Sequence, residues 1–183
     1  MASGGWLPGM DIGGWGGVGG FSKTAMEEEK KIQKVLSRLQ GQCSKREYCT
    51  GDVREKALKA LDGDSEAAEK VVSSLVADRY VDDARYCAAY AREKASISGW
   101  GAVKIRYALS GKGLVREDID SGLAEIDSEA ARGRLQKILQ VKRHALEGDP
   151  QWKLKLIRFA LGRGYGYEEV SAAIKALPAA DSE

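Results

Sequence analysis

The 183-residue sequence lacks any run of about 20 apolar residues, the length that a bilayer-spanning helix requires. It also lacks the basic start, the apolar block and the small-residue cleavage site of a secretory signal. Its three cysteines include no C-x-x-C pair, and its one histidine, His144, has no second metal ligand nearby in the sequence. These absences predict a soluble, cytoplasmic protein with no membrane contact, no disulfide framework and no metal site.

Motifs of catalysis and nucleotide binding are missing as well. Gly162-Arg-Gly-Tyr-Gly166 lacks the spacing of a dinucleotide-binding loop, and Ser110-Gly-Lys-Gly113 lacks both the glycine spacing and the hydroxyl of a phosphate-binding loop. No nucleophile is paired with His144 in a way that the sequence reveals. We therefore predict that the chain is not an enzyme and that it has no catalytic residue and no cofactor.

Glycine is concentrated at the start of the chain. Nine of the 22 glycines lie between Gly4 and Gly20. Such a dense glycine segment loses too much backbone entropy on folding to be ordered by itself. We interpret residues 1–26 as a flexible leader, either natural or added by cloning, and residues 179–183 as a short tail.

From Glu27 onward the apolar residues recur at helical spacing, and no stretch alternates as a half-buried strand would. The first helical stripe comprises Ile32, Val35, Leu36 and Leu39. Acidic residues that can accept hydrogen bonds from free backbone N–H groups predict helix starts at Asp52, Asp64 and Asp82. The pattern predicts an all-α domain.

The chain repeats itself at a period of about 50 residues. Gly63, Gly113 and Gly164, each a predicted helix end, lie 50 and 51 residues apart. The segment from Ile105 resembles the segment from Ile157 after one gap, which pairs Arg106 with Arg158 and Lys112 with Arg163. We predict three tandem three-helix repeats at residues 27–80, 81–126 and 127–178, stacked into an elongated, curved array.

Positive charge is concentrated in the last predicted repeat. Residues 132–163 contain nine basic and two acidic residues, a net charge of +7, whereas the whole chain carries only +2. One interpretation is a solvated helix face, and the other is a surface for phosphates or an acidic protein. Because cations recur at the period of the repeat, the second interpretation favours a long, polymeric anionic partner.

Three segments resemble successive landmarks of the RecX family of bacterial recombination regulators. They are Arg79-Tyr-Val-Asp-Asp-Ala-Arg-Tyr-Cys87, Gly99-Trp-Gly-Ala-Val-Lys-Ile-Arg-Tyr-Ala-Leu-Ser-Gly-Lys-Gly113 and Arg158-Phe-Ala-Leu-Gly-Arg-Gly-Tyr165. The resemblance covers about residues 28–178. Arg79 and Tyr86 stand where the family usually has glycine and phenylalanine, and the glycine-rich leader has no counterpart.

The resemblance implies a regulator without catalytic residues that acts in homologous recombination, DNA repair and the SOS response. Family members bind the RecA recombinase, lie along the groove of its filament on DNA, and restrain its ATP hydrolysis and strand exchange. We expect a monomer whose partner is the RecA filament, with DNA contacted as part of it. The candidate contact residues are Lys104, Arg106, Lys112, Lys153, Lys155, Arg158 and Arg163.

Two other functions remain open at this stage. The chain is alternatively a stand-alone nucleic-acid-binding protein, in which Lys155 or Arg158 grips DNA directly. It is alternatively a helical-repeat scaffold for another acidic protein. Cations spread along an array favour contact with a backbone over reading of bases.

Overall fold

A computed structural model describes residues 23–178. Within this range the chain forms nine helices and no strand. They form a first unit (α1, Lys23–Cys43; α2, Thr50–Ala60; α3, Ser65–Ala77), a second unit (α4, Asp83–Ser96; α5, Ala102–Ser110; α6, Arg116–Ala124) and a third unit (α7, Ser128–His144; α8, Trp152–Gly162; α9, Tyr167–Lys175). The predicted fold class, three tandem three-helix repeats in an elongated, curved array, is confirmed.

The predicted boundaries at 80/81 and 126/127 fall in the connections that precede α4 and α7. Helix α1 begins at Lys23, so the last four residues of the predicted leader are helical. Residues 1–22 of that leader and the predicted tail, 179–183, lie outside the described residues. No helix among the described residues is long and apolar enough to cross a bilayer.

Acidic caps start two helices as predicted, and a third start differs. The carboxylates of Asp64 and Asp82 accept hydrogen bonds from the backbone N–H groups of Ala67 and Arg85. Asp52, by contrast, lies inside the first turn of α2, which begins at Thr50. The sequence signal failed here because the first turn of α2 is capped from another unit: Asp83 of α4 accepts from both the backbone N–H and the hydroxyl of Thr50, at 2.8 and 2.6 Å.

Each unit has its own apolar core. The predicted stripe on α1 packs into the first core, where Val35 and Leu39 are buried and Ile32 and Leu36 partly buried. In the second core Ile105 and Leu109 of α5 are fully buried, and in the third core Leu156 of α8 is fully buried. A single three-helix unit buries little apolar surface by itself, so the units must also support one another.

Consecutive units meet through the ends of their second helices. The backbone N–H groups of Gly101 and Val103, at the start of α5, donate to the carbonyls of Arg163 and Gly164, just after α8, at 2.9 and 3.0 Å. A Cβ on Gly101 would lie 2.2 Å from the Gly164 carbonyl oxygen, so this approach requires glycine.

The other pair of units meets in a similar way. A Cβ on Gly51, at the start of α2, would lie 2.2 Å from the carbonyl oxygen of Lys112, just after α5. The C-terminal end of one second helix therefore faces the N-terminal end of the second helix in the preceding unit. We call the contact between the first and second units the first junction and that between the second and third units the second junction.

Candidate partner-binding surface

Most cations of the third unit have no acidic partner among the residues that the structure describes. Among the nine basic residues of 132–163, the described part of the chain places a carboxylate within ion-pair distance of Lys155 only, and that carboxylate is Asp149. The hydrogen bond from Lys155 holds the pKa of Asp149 below its usual range. The surface of this unit is therefore strongly positive, and an anionic partner would replace mostly water at these side chains.

Helix α8 carries three of the predicted contact residues. Arg158 is exposed and makes no ion pair within the described residues, so it is free to meet an anion. Lys153 is exposed, with its ammonium 5.3 Å from the ring centroid of Trp152. Lys155 is exposed but is already bonded to Asp149. Of the three, Arg158 and Lys153 are the stronger candidates for contact.

The two predicted residues on α5 are differently placed. Arg106 forms an ion pair with Asp120 of α6, and its hydrogen bond lowers the pKa of that carboxyl. Lys104 is half-buried, with its ammonium 4.5 Å from the ring centroid of Trp100. Its main chain also lies against Gly164, because a Cβ on that glycine would come within 2.5 Å of the Lys104 nitrogen. Arg106 is thus neutralised inside its own unit, and Lys104 lies at the second junction.

Lys112 lies at the first junction. Its ammonium donates to Oδ1 of Asp52 on α2 at 2.6 Å, and the two side chains are 30% and 23% exposed. Burial by itself would lower the pKa of Lys112, but the interactions with Asp52 and Tyr86 together outweigh it and raise the pKa above its ordinary value. Burial likewise opposes ionisation of Asp52, yet Lys112 holds the pKa of that carboxyl below its usual range.

Arg163 occupies the corresponding place at the second junction. Its guanidinium donates to the carbonyl oxygen of Ser98 at 3.2 Å and lies 5.0 Å from the ring centroid of Phe159. Two of the predicted contact cations, Lys112 and Arg163, therefore turn toward the preceding unit of the same chain.

The pattern of buried residues shows which positions of the second and third units are equivalent. Ile105 and Leu109 face the second core, and Leu156 and Ala160 face the third core at positions 51 residues later. This register pairs Lys112 with Arg163, as predicted, but it pairs Arg158 with Tyr107. The predicted equivalence of Arg106 and Arg158 is wrong by one residue, because the matching letters Ile-Arg in the two segments do not occupy matching faces of their helices.

Exposed apolar side chains accompany the cations, and the sequence reasoning missed them. Val103 and Tyr107 on α5 are 61% and 82% exposed, and Leu154 and Leu161 on α8 are 43% and 42% exposed. At helical pitch Tyr107 lies opposite the buried residues of α5, and the other three lie on the exposed sides of their helices. The sequence contained the signal, since each is an apolar residue outside the core stripe of its helix. Aromatic and arginine side chains, such as Tyr107 and Arg158, are enriched in protein–protein interfaces.

Two buried cysteines, Cys49 and Cys87, lie in the second core. Burial raises the pKa of the Cys49 and Cys87 thiols to about 11, so both are protonated at neutral pH. Within residues 23–178, no three or more His, Cys, Asp or Glu side chains are grouped so that they could hold a metal ion. The third unit of the helical array carries exposed apolar side chains and cations that have no carboxylate partner within residues 23–178.

Comparisons with known proteins agree with one another. A family model described as the second three-helix domain of RecX matches residues 82–123. A protein named Regulatory protein RecX from Clostridium botulinum (strain Eklund 17B / Type B) is 33% identical over 128 residues, which cover 67% of this chain and 58% of that protein. A protein of the same name from Cronobacter sakazakii is 28% identical over 160 residues, which cover 81% of this chain and 94% of that protein.

Solved structures show the same fold. A crystal structure of regulatory protein RecX matches with a TM-score of 0.75 at 22% identity, covering 83% of this chain and 75% of the other. RecX from Lactobacillus salivarius matches with a TM-score of 0.71 at 18% identity, covering 81% and 97%. At these identities the likeness establishes the fold. The chain spans less than two thirds of the clostridial relatives, for example 58% and 62% of two of them.

Proposed function

Because the chain belongs to the RecX family of regulatory proteins, we propose that it binds the RecA recombinase filament on DNA and modulates, mainly by inhibition, its ATPase and strand-exchange activities. The role is regulation without catalysis, in the cytoplasm and as a monomer. All three units of the array contact the filament, and the exposed cations Arg158 and Lys153 of the third unit are foremost.

The observation that carries this proposal is the unpaired positive charge of the third unit on an array of repeated units. A long array matches a long partner better than it matches a small ligand, since successive units can bind successive sites. Cations without internal carboxylates lose little when an anionic surface approaches, because no ion pair has to be broken. The apolar residues beside them support contact with protein in addition to phosphate.

The proposed mechanism couples binding of the array to the conformational equilibrium of the filament. We propose that the array bridges neighbouring RecA subunits and binds one conformation of the filament more tightly than the others. A ligand shifts such an equilibrium only by its difference in affinity for the states. Binding across two subunits would then oppose the subunit motions that accompany ATP turnover. Equal affinity for all nucleotide states of the filament would rule out this mechanism.

The test compares two substrates at equal ionic strength. We expect submicromolar binding to a RecA filament assembled on single-stranded DNA with a non-hydrolysable ATP analogue, much weaker binding to the same DNA alone, and a lower rate of ATP hydrolysis when the filament is active. Tight binding to bare DNA without any effect on hydrolysis would instead support a stand-alone nucleic-acid-binding protein. Binding to neither substrate would support a scaffold for another acidic protein.

A matched pair of variants tests the surface. Arg158→Gln should weaken filament binding and lessen its salt dependence. Arg54→Gln, which removes an exposed cation that is already paired with Glu69 in the first unit, serves as the control. Equal losses for the two variants would exclude the third unit as the principal contact.

A further inference from the structure

The two junctions share one arrangement of residues. In each, the turn after the second helix of one unit abuts the start of the second helix of the preceding unit. The cation in that turn directly precedes a glycine of positive φ: Lys112 precedes Gly113, and Arg163 precedes Gly164. Both cations reach back across the junction instead of outward to solvent. A feature that recurs at equivalent places in two junctions points to a shared role there.

At the first junction the contact is a charge pair between distant parts of the chain. Lys112 and Asp52 are 60 residues apart in sequence, and both are mostly shielded from water. The Lys112 ammonium also lies 5.7 Å from the ring centroid of Tyr86 on α4. Asp83 holds Thr50 only two residues before Asp52. Lys112 is thus one member of a polar cluster that joins the start of α2 to the second unit.

At the second junction one residue contributes two contacts. The Arg163 guanidinium donates to the Ser98 carbonyl, while the Arg163 carbonyl accepts from the backbone N–H of Gly101. Ser98 and Gly101 lie on either side of Trp100, in the connection between α4 and α5. Arg163 therefore fastens this connection to the turn that follows α8.

We propose that Lys112 and Arg163 are positioning residues that set the angle between consecutive units, and that neither side chain contacts the partner. Their hydrogen bonds are made within the chain, so a partner would have to compete with contacts that are already formed and partly desolvated. The angle matters because the third unit and the first two units bind one filament together only if their spacing matches the partner's repeat. The effect on binding rests on the proposed function, whereas the effect on inter-unit geometry does not.

A charge swap separates positioning from contact. Lys112→Asp places two carboxylates together and should weaken filament binding by about tenfold, because a smaller fraction of molecules holds the binding-competent angle. Adding Asp52→Lys restores the pair in reverse and should recover affinity to within about threefold of the original. A contact role predicts the opposite, since position 112 would still carry the wrong sign. Failure of the double variant to recover, with its helicity intact, would overturn the proposal.

The matched control combines the same Asp52→Lys change with Arg158→Asp, whose partner lies outside the chain. No recovery is expected for this combination. If Lys112→Asp fails to fold, the neutral variants Lys112→Gln and Asp52→Asn replace the swap in a double-mutant cycle. A positioning pair predicts that the double neutral variant is little worse than either single one, and strictly additive losses would overturn the pairing.

A second measurement needs no partner. Spin labels at Glu28→Cys in the first unit and Glu117→Cys in the second, in a Cys43→Ser background, report the distance across the first junction. We expect a single narrow distance distribution in the otherwise unchanged chain, a broad one in Lys112→Gln, and a narrow one again in the charge swap. For the second junction, labels at Glu117 and Glu168 with Arg163→Gln should show the same broadening.

The two measurements keep the two proposals apart. If the unlabelled chain does not bind the filament but Lys112→Gln still broadens the distances, the proposed function fails and the positioning role stands. If Lys112→Gln weakens binding while the distances stay narrow, Lys112 is a contact residue and the positioning role fails.

Discussion

The second and third units have the same three-helix plan but use their cations in opposite ways. In the second unit Arg92, Arg106 and Arg116 are each paired with a carboxylate of α6 or of the residue that follows it. In the third unit Arg158 has no such partner within the described residues, and Lys155 is bonded to the only carboxylate offered to the basic stretch. The same residue type therefore stabilises one unit and leaves the other charged.

This difference shows that a cation in a sequence is a candidate contact only when its own chain has not neutralised it. Exposed ion pairs contribute little to stability, about 0–1 kcal/mol each, so the pairing in the second unit matters mainly for what it removes from the surface. The charge asymmetry comes from the cations of the third unit that have no carboxylate partner in the described part of the chain. The proposed contact surface is accordingly placed there.

The largest effect is expected when the second junction, which connects these two units, is disrupted. Gly101→Ala puts a Cβ against the main chain of Gly164 and Tyr165, and a backbone carbonyl cannot move aside as a flexible side chain would. We expect a loss of about 1–3 kcal/mol in the free energy of unfolding, measured by urea titration, together with weaker filament binding.

The control for this change is Gly133→Ala in α7, where a Cβ meets nothing within 4 Å. Replacing a helical glycine there should stabilise the chain by about 0.5–1 kcal/mol. Equal changes in the free energy of unfolding for the two variants would mean that the second junction is not closely packed at Gly101.

The next effect concerns the free and the paired arginines. Arg158→Gln should weaken filament binding by about fivefold at low salt and lower the logarithmic salt slope by about one. Arg106→Gln should change affinity by less than about twofold, since Asp120 already neutralises that arginine. Titrations by fluorescence anisotropy at three salt concentrations measure both. Matching slopes for the two variants would remove the distinction between the units.

Acidification should remove the contribution of the Lys112–Asp52 ion pair to the stability of the fold. Lys112 keeps the pKa of Asp52 lowered in the folded chain, so this pair stabilises the fold above the unfolded pKa of about 3.9 and ceases to do so as the pH falls through the lower folded value. Asp52→Asn should therefore cost about 0.5–1 kcal/mol at pH 7 and almost nothing near pH 2. Denaturant titrations of both chains at pH 7, 4 and 2 measure the difference. A cost that does not depend on pH would contradict the assigned ion pair.

The smallest expected effect comes from making the second unit resemble the third. Asp120→Asn removes the carboxylate that Arg106 and Arg116 share and leaves two more cations unpaired. Binding to an anionic partner should tighten by about twofold and become more sensitive to salt. Isothermal titration at two salt concentrations measures the change. Weaker binding by Asp120→Asn would show that this carboxylate itself takes part in the contact.

Much of the fold could be predicted because its signals are local. The caps at Asp64 and Asp82 act within one turn of their helices, and the stripe that includes Val35 and Leu39 follows from helical pitch. Asp52 was misassigned because the cap of α2 comes from Asp83, on a helix of another unit. The equivalence of Arg106 and Arg158 failed because similarity of letters does not decide which face of a helix is buried.

The candidate surface was only partly predictable for the same reason. The sequence by itself determined the helices, the three-fold repetition and the concentration of positive charge, since each depends on neighbours within a few turns or on counting. Only the tertiary structure decided which cations remain free, because Asp52 reaches Lys112 across 60 residues and Ser98 reaches Arg163 across 65. Whether a charge is available to a partner depends on distances between groups that chain order does not specify.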